Sequence, residues 1–369
     1  MSHSVSQEQW SSWRGFLLAA IGFSVGLGNI WRFPYVAGEN GGSAFVIIYL
    51  ACAFAIGLPL LVSELAIGRL GRLDPTGSYR EVARRSKRSR AWGGIGTLSI
   101  ACVFAVLSFY TVLSGWTFDY FVRGVRGAFD GIDASASSAM FAGLMGDPWR
   151  LLFWHAVVNV LVILIIRRGV QEGVERAAKL MMPVLFGALV LMFCYSLVAG
   201  DMIAAVTFLL QPDFSAVTPK TFMIAAGQAF FSIGVAMATM ITFGAYLPKE
   251  ISIPRSATII IFADTGVAML AGLVIFPLVF AYGLTPGEGA GLIFQTLPVA
   301  FGQMPGGHLF GAVLFLLLMV AALSSCLGGA EAAVSWIDER FDVPRKKGVL
   351  YFVGTTWVMG IATVLSLNE

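Results

Sequence analysis

Charged side chains are scarce in this sequence: 12% of its 369 residues, where soluble globular domains carry about 25%. That scarcity, with a mean hydropathy of +0.82, excludes a soluble enzyme, a nucleic-acid-binding domain and a disordered chain. Histidine is nearly absent, and His3, His155 and His308 are too scattered to form a metal cluster. Cysteine is rare too. Cys52, Cys102, Cys194 and Cys326 each lie in an apolar stretch without metal or redox spacing, and they read as buried small hydrophobes. There is no His-Glu-x-x-His, no phosphate-binding Gly-rich loop, and no nucleophile and base placed at one depth, so an enzyme is not expected. The first apolar run is too long for a cleavable signal peptide and lacks a small-residue cleavage site in frame.

Apolar residues are abundant, at 57%, and with them 29 Phe and 42 Gly. They gather into runs of helix-spanning length rather than the short alternating segments of a barrel. The runs fall near 13–36, 41–68, 92–122, 150–167, 177–198, 221–247, 256–282, 307–338 and 349–367, which reads as an all-α polytopic membrane protein of nine spans. With the N-terminus in the cytoplasm, nineteen of the 24 Lys and Arg fall on the inside. That is a strong positive-inside bias, and nine spans then put the C-terminus outside. The run Arg84-Arg85-Ser86-Lys87-Arg88-Ser89-Arg90 reads as a solvated loop near anionic lipid, not as a nucleic-acid patch. Among the outside loops, 283–306 carries Leu292-Ile293-Phe294 and is either a lid packed back on the protein or a plain surface loop.

Two spans are poorly made for continuous helix. The first contains Gly22-Phe23-Ser24-Val25-Gly26-Leu27-Gly28-Asn29, and the sixth contains Phe231-Ser232-Ile233-Gly234-Val235-Ala236. Gly22 and Gly26 also form a small-xxx-small pair suited to close packing. The two segments match nearly residue for residue, 208 positions apart, and five helices between them invert the second copy. Paired breaks in inverted halves point to a binding site at the bilayer midplane. An unwound stretch frees carbonyls for a cation, and the helix N-terminus beyond it offers N–H groups to a carboxylate.

Other polar groups stand in apolar surroundings. Asp264 follows Ile259-Ile260-Ile261-Phe262-Ala263 and needs a cavity and a partner. Ser324-Ser325 either bond back to their own helix or serve a site. Glu64 and Glu331, near the basic ends of their spans, suit gating or helix pairing.

The run Gly26-Leu27-Gly28-Asn29-Ile30-Trp31-Arg32-Phe33-Pro34-Tyr35, then Glu39-Asn40-Gly41-Gly42, Gly57-Leu58-Pro59-Leu60 with Glu64, Ile67-Gly68-Arg69, and Gly227-Gln228-Ala229-Phe230-Phe231-Ser232 resemble the neurotransmitter:sodium symporter family, in its bacterial amino-acid branch. That family is itself a leading example of the broken-helix architecture just described. The likeness runs from about Glu8 to Asn368. It implies a leucine-transporter-like fold of five plus five inverted helices, here one transporter domain with a first repeat near 13–198 and an incomplete second near 221–367. It also implies sodium-coupled symport of a neutral, hydrophobic or aromatic L-amino acid in the plasma (inner) membrane.

The implied sites carry over residue by residue. A first sodium takes the Ser24 carbonyl, the Asn29 side chain, Ser232 and Asp264. A second takes the carbonyls of Gly22, Val25 and Ala321 and the hydroxyls of Ser324 and Ser325. All are hard oxygen ligands. The substrate carboxylate meets the Leu27 and Gly28 N–H groups and Tyr110, and its amine meets carbonyls of Ser24, Phe231 and Ser232. Val106, Tyr110, Phe231, Gly234, Met237, Ser325 and Gly329 surround its side chain. Arg32, Gln228, Tyr110 and Phe231 form the outer gate, Trp10 and Glu339 the inner one.

Three positions depart from the pattern. Asp264 stands where many members have Asn, and Ala268 where animal members bind chloride through Ser, which implies independence of chloride. Gln7 replaces the Arg that normally pairs with the acid at Glu339. Members have twelve spans and this chain has nine, so Arg32 lacks the acid that a tenth would supply. The alternative is therefore a non-transporting, truncated membrane protein with vestigial sites. Oligomeric state is not indicated.

Overall fold

A computed structural model describes residues 8–215, 217–284 and 289–367, and every regular element among them is a helix. Seven helices are long and apolar enough to cross a membrane: Ser43–Gly71, Arg90–Val125, Pro148–Ile166, Val170–Ala199, Ile253–Ala281, Gly307–Phe341 and Arg345–Ser366. The pair Trp13–Ser24 and Gly28–Glu39, bent by 48°, makes an eighth crossing. Pro219–Ile233 and Thr239–Ala245 make a ninth segment; each half is too short to cross alone because the chain unwinds between them. In chain order these are spans 1 to 9, with halves 1a and 1b, 6a and 6b.

The breaks follow from local chemistry. Span 1a is capped by Ser12, whose hydroxyl accepts the Gly15 N–H, and ends at Ser24 with Val25 extended. The chain resumes at Gly28 with one widened turn, Gly28–Arg32. Span 6a ends on Gly234 at φ +73°, and Ala236 and Ala238 follow at φ +65° and +60°. Left-handed alanines are strained, so a partner must hold them. Glu64 of span 2 holds the first of them, accepting the Ala236 N–H at 2.6 Å.

Of the seven unbroken spans, 7 and 8 are the most enclosed and 4 the least. Span 8 packs along span 3, span 1a lies against spans 5, 7 and 8, and spans 4 and 9 flank span 3 on the outside. Span 6b rests on span 2 backbone to backbone: a Cβ on Gly68 would lie 1.9 Å from the Ile241 carbonyl oxygen, so only glycine fits. Gly22 packs near Met182 and Gly26 near Ser325, so the small-residue pair serves helix contact as well as the break.

The connections between the spans carry the short helices Pro75–Arg85, Ala134–Met145, Met202–Leu210 and Leu297–Gln303. The reading of the cysteines needs correction. Of the cysteines only Cys326 is buried; Cys102 and Cys194 are exposed on the outer helix faces and Cys52 is intermediate. An apolar sequence does not distinguish a lipid-facing position from a protein-facing one, since both surroundings are apolar. The described part of 283–306 behaves as a lid. Phe294 is buried with its ring edge against Trp31, Trp116 and Tyr120 and stacked on Phe141.

Candidate functional site

The two breaks meet. The Ser24 hydroxyl donates to the Ile233 carbonyl at 3.0 Å, and Gln228 Nε2 donates to the Gly28 carbonyl at 2.8 Å. Between them lies a buried polar cluster. Asn29 Nδ2 donates to Ser232 Oγ at 2.8 Å and to Asp264 Oδ1 at 2.7 Å, and the Ser232 hydroxyl donates to Asp264 Oδ2 at 2.8 Å. Tyr49 Oη lies 3.4 Å from Ser232 Oγ. Asn29, Ser232 and Asp264 are almost wholly buried. The Asp264 carboxylate has no cationic side chain bonded to it among the described residues, and it is held by an amide and a hydroxyl alone.

The Asn29 carboxamide is turned opposite to the orientation a cation ligand requires. Its Oδ1 accepts the Gly26 N–H at 3.1 Å, while Nδ2 faces the carboxylate and also reaches the Asp264 carbonyl at 3.0 Å. The reason is local: a carboxylate and a carbonyl both call for a donor, and the amide NH₂ supplies one. Ser324 and Ser325 bond back to their own helix, the first of the two alternatives. Each hydroxyl donates to the Ala321 carbonyl, at 2.9 and 3.2 Å, and Ser325 also donates to the Phe23 carbonyl at 2.9 Å across to span 1. Val25 donates its own N–H to Ile21, and Gly22 lies opposite Ser324.

Beside these clusters is a mostly apolar cavity of about 40 Å³. Ser24, Gly28, Val106, Tyr110, Phe231, Gly234, Met237, Ser325 and Gly329 all line it. Leu27 and Ser232 do not: the Leu27 N–H is bonded to Tyr110 Oη at 3.1 Å, and the Ser232 hydroxyl points at Asp264. Three lining residues escape the sequence reading, namely Phe23, Gly26 and Leu107. Phe23 sits inside the repeated motif, and a Cβ on Gly234 would come within 2.5 Å of its ring. Leu107 likewise faces Gly329, at 3.0 Å from the corresponding position. The room opened by those glycines is therefore partly filled by Phe23 and Leu107, and these set the size of the cavity.

Tyr110 and Phe231 also line a second cavity, which Trp31, Arg32, Tyr35, Phe109 and Leu113 enclose on the other side. The two rings thus form the partition between the cavities. Arg32 closes over it, with its guanidinium 5.2 Å from the Phe231 centroid and Nη1 hydrogen-bonded to Gln228 Oε1.

The basic end is closed differently. Trp10 is buried against Phe16, Phe243 and Tyr246, and its indole N–H donates to the Phe243 carbonyl at 3.0 Å. Gln7 lies outside the described residues. Glu339 makes no ion pair among them; it accepts the Asp74 N–H at 2.6 Å. The cation here is Arg345, which the sequence reading counted only for topology. It grips Glu331 with both terminal nitrogens, reaches Glu8 at 3.9 Å, and donates through Nε to the Ile166 carbonyl at 2.9 Å. Tyr246 Oη donates to the same Glu331 at 3.0 Å. Burial pushes the Glu8 carboxyl up from its ordinary range, with Arg345 opposing the shift. The pairing role left open for Glu331 is thus the one the geometry assigns, and Glu64 braces the break in span 6.

Comparison with known proteins agrees with this arrangement. The profile of the Sodium:neurotransmitter symporter family matches residues 7–130 and 145–367. An uncharacterized sodium-dependent transporter of Bacillus subtilis, YhdH, is 39% identical over 97% of this chain and 77% of its own length. A sodium-dependent dopamine transporter of Caenorhabditis elegans is 26% identical over 97% of this chain and 68% of its own. Among solved structures, MhsT in complex with L-phenylalanine superposes with a TM-score of 0.91 at 38% identity, covering 98% of this chain and 81% of that one.

Proposed function

We propose that this chain, which belongs to the Sodium:neurotransmitter symporter family and is a sodium-dependent transporter of the membrane, takes up a neutral L-amino acid with a hydrophobic or aromatic side chain. The observation that carries the reading is the meeting of two broken spans at an apolar cavity beside a buried carboxylate without a cationic partner. One sodium ion sits among Asp264, Ser232, Asn29 and the Ser24 carbonyl, after a half-turn of the Asn29 amide brings its oxygen inward. A second sits among Gly22, Val25, Ala321, Ser324 and Ser325. The freed backbone of the first break, at Leu27 and Gly28, holds the substrate carboxylate with Tyr110; the broken end of span 6a holds the amine. MhsT, solved with L-phenylalanine, supports the substrate class. Asp264 supplies a fixed negative charge that offsets part of the charge of two cations, so no chloride is needed. The Lys and Arg bias supports a cytoplasmic N-terminus in the plasma membrane.

Binding of labelled L-phenylalanine to the purified protein tests this. Binding is expected in sodium chloride and equally in sodium gluconate, and is lost in potassium chloride. By linkage the amino acid and sodium must tighten one another equally. At about 0.8 kcal/mol per buried methylene, Leu, Phe or Trp should outcompete Ala at least tenfold. Equal binding in potassium removes the coupling, a chloride requirement removes the role given to Asp264, and a preference for Gly or Ala removes the substrate class.

A further inference from the structure

Spans 4 and 9 touch at the outer rim of the bundle, far from the broken helices, and their basic ends form a recess. Ile163, Arg167, Arg168, Lys346 and Leu350 line it, around about 940 Å³ of atom-free space. No carboxylate is among them. Among the described residues none of the three cationic side chains makes an ion pair or a hydrogen bond, whereas neighbouring Arg345 turns inward onto Glu331. Span 4 ends at Ile166 and span 9 begins at Arg345, so the recess lies where two membrane helices reach the interface. Span 9 is 22 residues long, and its N-terminus adds a positive dipole end beside Lys346.

We propose that this recess binds the phosphodiester headgroup of an anionic glycerophospholipid. Three unpaired cations and a helix N-terminus call for a phosphate. The apolar part of the ligand follows from the same two helices: Leu350 and Ile163 form part of the recess wall, and Val160, Leu164 and Tyr351 are exposed on the faces leading away from it. A free anion has no use for those faces, and acyl chains do. Clusters of Lys and Arg at the inner ends of membrane helices attract anionic lipid at about 1 kcal/mol per residue, so three together are worth about 100-fold in affinity. The identity of the membrane leaflet rests on the cytoplasmic N-terminus proposed above; binding in micelles does not, so failure of the two readings is distinguishable.

The test is native mass spectrometry of the detergent-solubilised protein titrated with phosphatidylglycerol, phosphatidylcholine or inorganic phosphate. Phosphatidylglycerol should bind preferentially, and Arg167→Gln/Arg168→Gln/Lys346→Gln should weaken it by about 100-fold. Lys87→Gln/Arg88→Gln/Arg90→Gln removes the same charge from an exposed loop at the same end and should change it less than threefold. Lys346→Gln alone, the gentlest variant, should cost about fivefold and keeps the test open if the triple variant does not fold. Equal losses in the two triple variants would reduce the effect to net charge. Binding no tighter than phosphatidylcholine, or displacement by inorganic phosphate at matching concentration, would overturn the lipid site.

Discussion

The two ends of the central cavity are closed by different chemistry. At the end marked by Arg32 the partition is two rings, Tyr110 and Phe231, with one guanidinium laid across and bonded to Gln228. A second cavity lies directly behind it. At the basic end the seal is deep. It combines the buried Trp10 cluster, the Arg345–Glu331–Tyr246 network, and the Ser11 backbone and hydroxyl held by Glu175. The difference teaches that this conformation is one thin layer from opening at one end and many interactions from opening at the other. Opening the basic end therefore costs more free energy than opening the other.

The largest test of that asymmetry is Glu331→Gln. Glu331 is fully buried and Arg345 nearly so, and breaking such a pair leaves a charge without a partner, at a cost of about 3–5 kcal/mol. Ser335 lines the pocket beside Arg345. With Ser335→Cys placed in a background free of the native cysteines, labelling by an impermeant thiol reagent should quicken by roughly 100-fold or more. An unchanged rate would mean that the basic end does not rely on this pair. At the thin end, Gln228→Ala removes the hydrogen bond to the charged Arg32, worth about 1.5–3 kcal/mol when buried and less at this partly exposed site, together with the Nε2 bond to the Gly28 carbonyl. Labelling of Leu113→Cys in the second cavity should rise about tenfold. A larger effect there than from Glu331→Gln would reverse the comparison.

What could be read beforehand and what could not divide along the same line. The breaks were legible because they are local: glycines and a repeated Phe-Ser-x-Gly motif interrupt two apolar runs, and the structure breaks both. Asp264 was legible because a carboxylate in an apolar run demands an explanation. Most of the cavity lining was legible only through resemblance. The remainder depends on contacts between distant parts of the chain. Glu64 braces Ala236 from 172 positions away, and Arg345 is one cation in a basic cluster until the fold turns it toward Glu331. Phe23 and Leu107 fill the space that glycines open, which no single-sequence argument about glycine anticipates.

The smallest effect sharpens the comparison by asking whether only one end responds to pH. Glu8 lies on the N-terminal segment, accepts the Val170 N–H at 3.3 Å and faces Arg345, which already holds Glu331. Burial raises its carboxyl above the ordinary value, so the docked segment holds the proton more tightly than the free one. The sign follows. Above the docked pKa the charged carboxylate penalises closure, and as pH falls through that pKa the penalty disappears and closure tightens. Because Glu8 is about a third exposed, solvent screens most of this, and the change should be of order threefold. The check is the labelling rate of Ser335→Cys across pH 4 to 7.5, divided at each pH by the rate in Glu8→Gln to cancel the reagent's own titration. The ratio should fall as pH falls, while the same ratio for Leu113→Cys stays flat, since the partition around Arg32 has no carboxylate among its lining residues. A ratio that rises toward acid would mean that Glu8 contributes through its ion pair with Arg345, whose loss on protonation then outweighs the relief of burial.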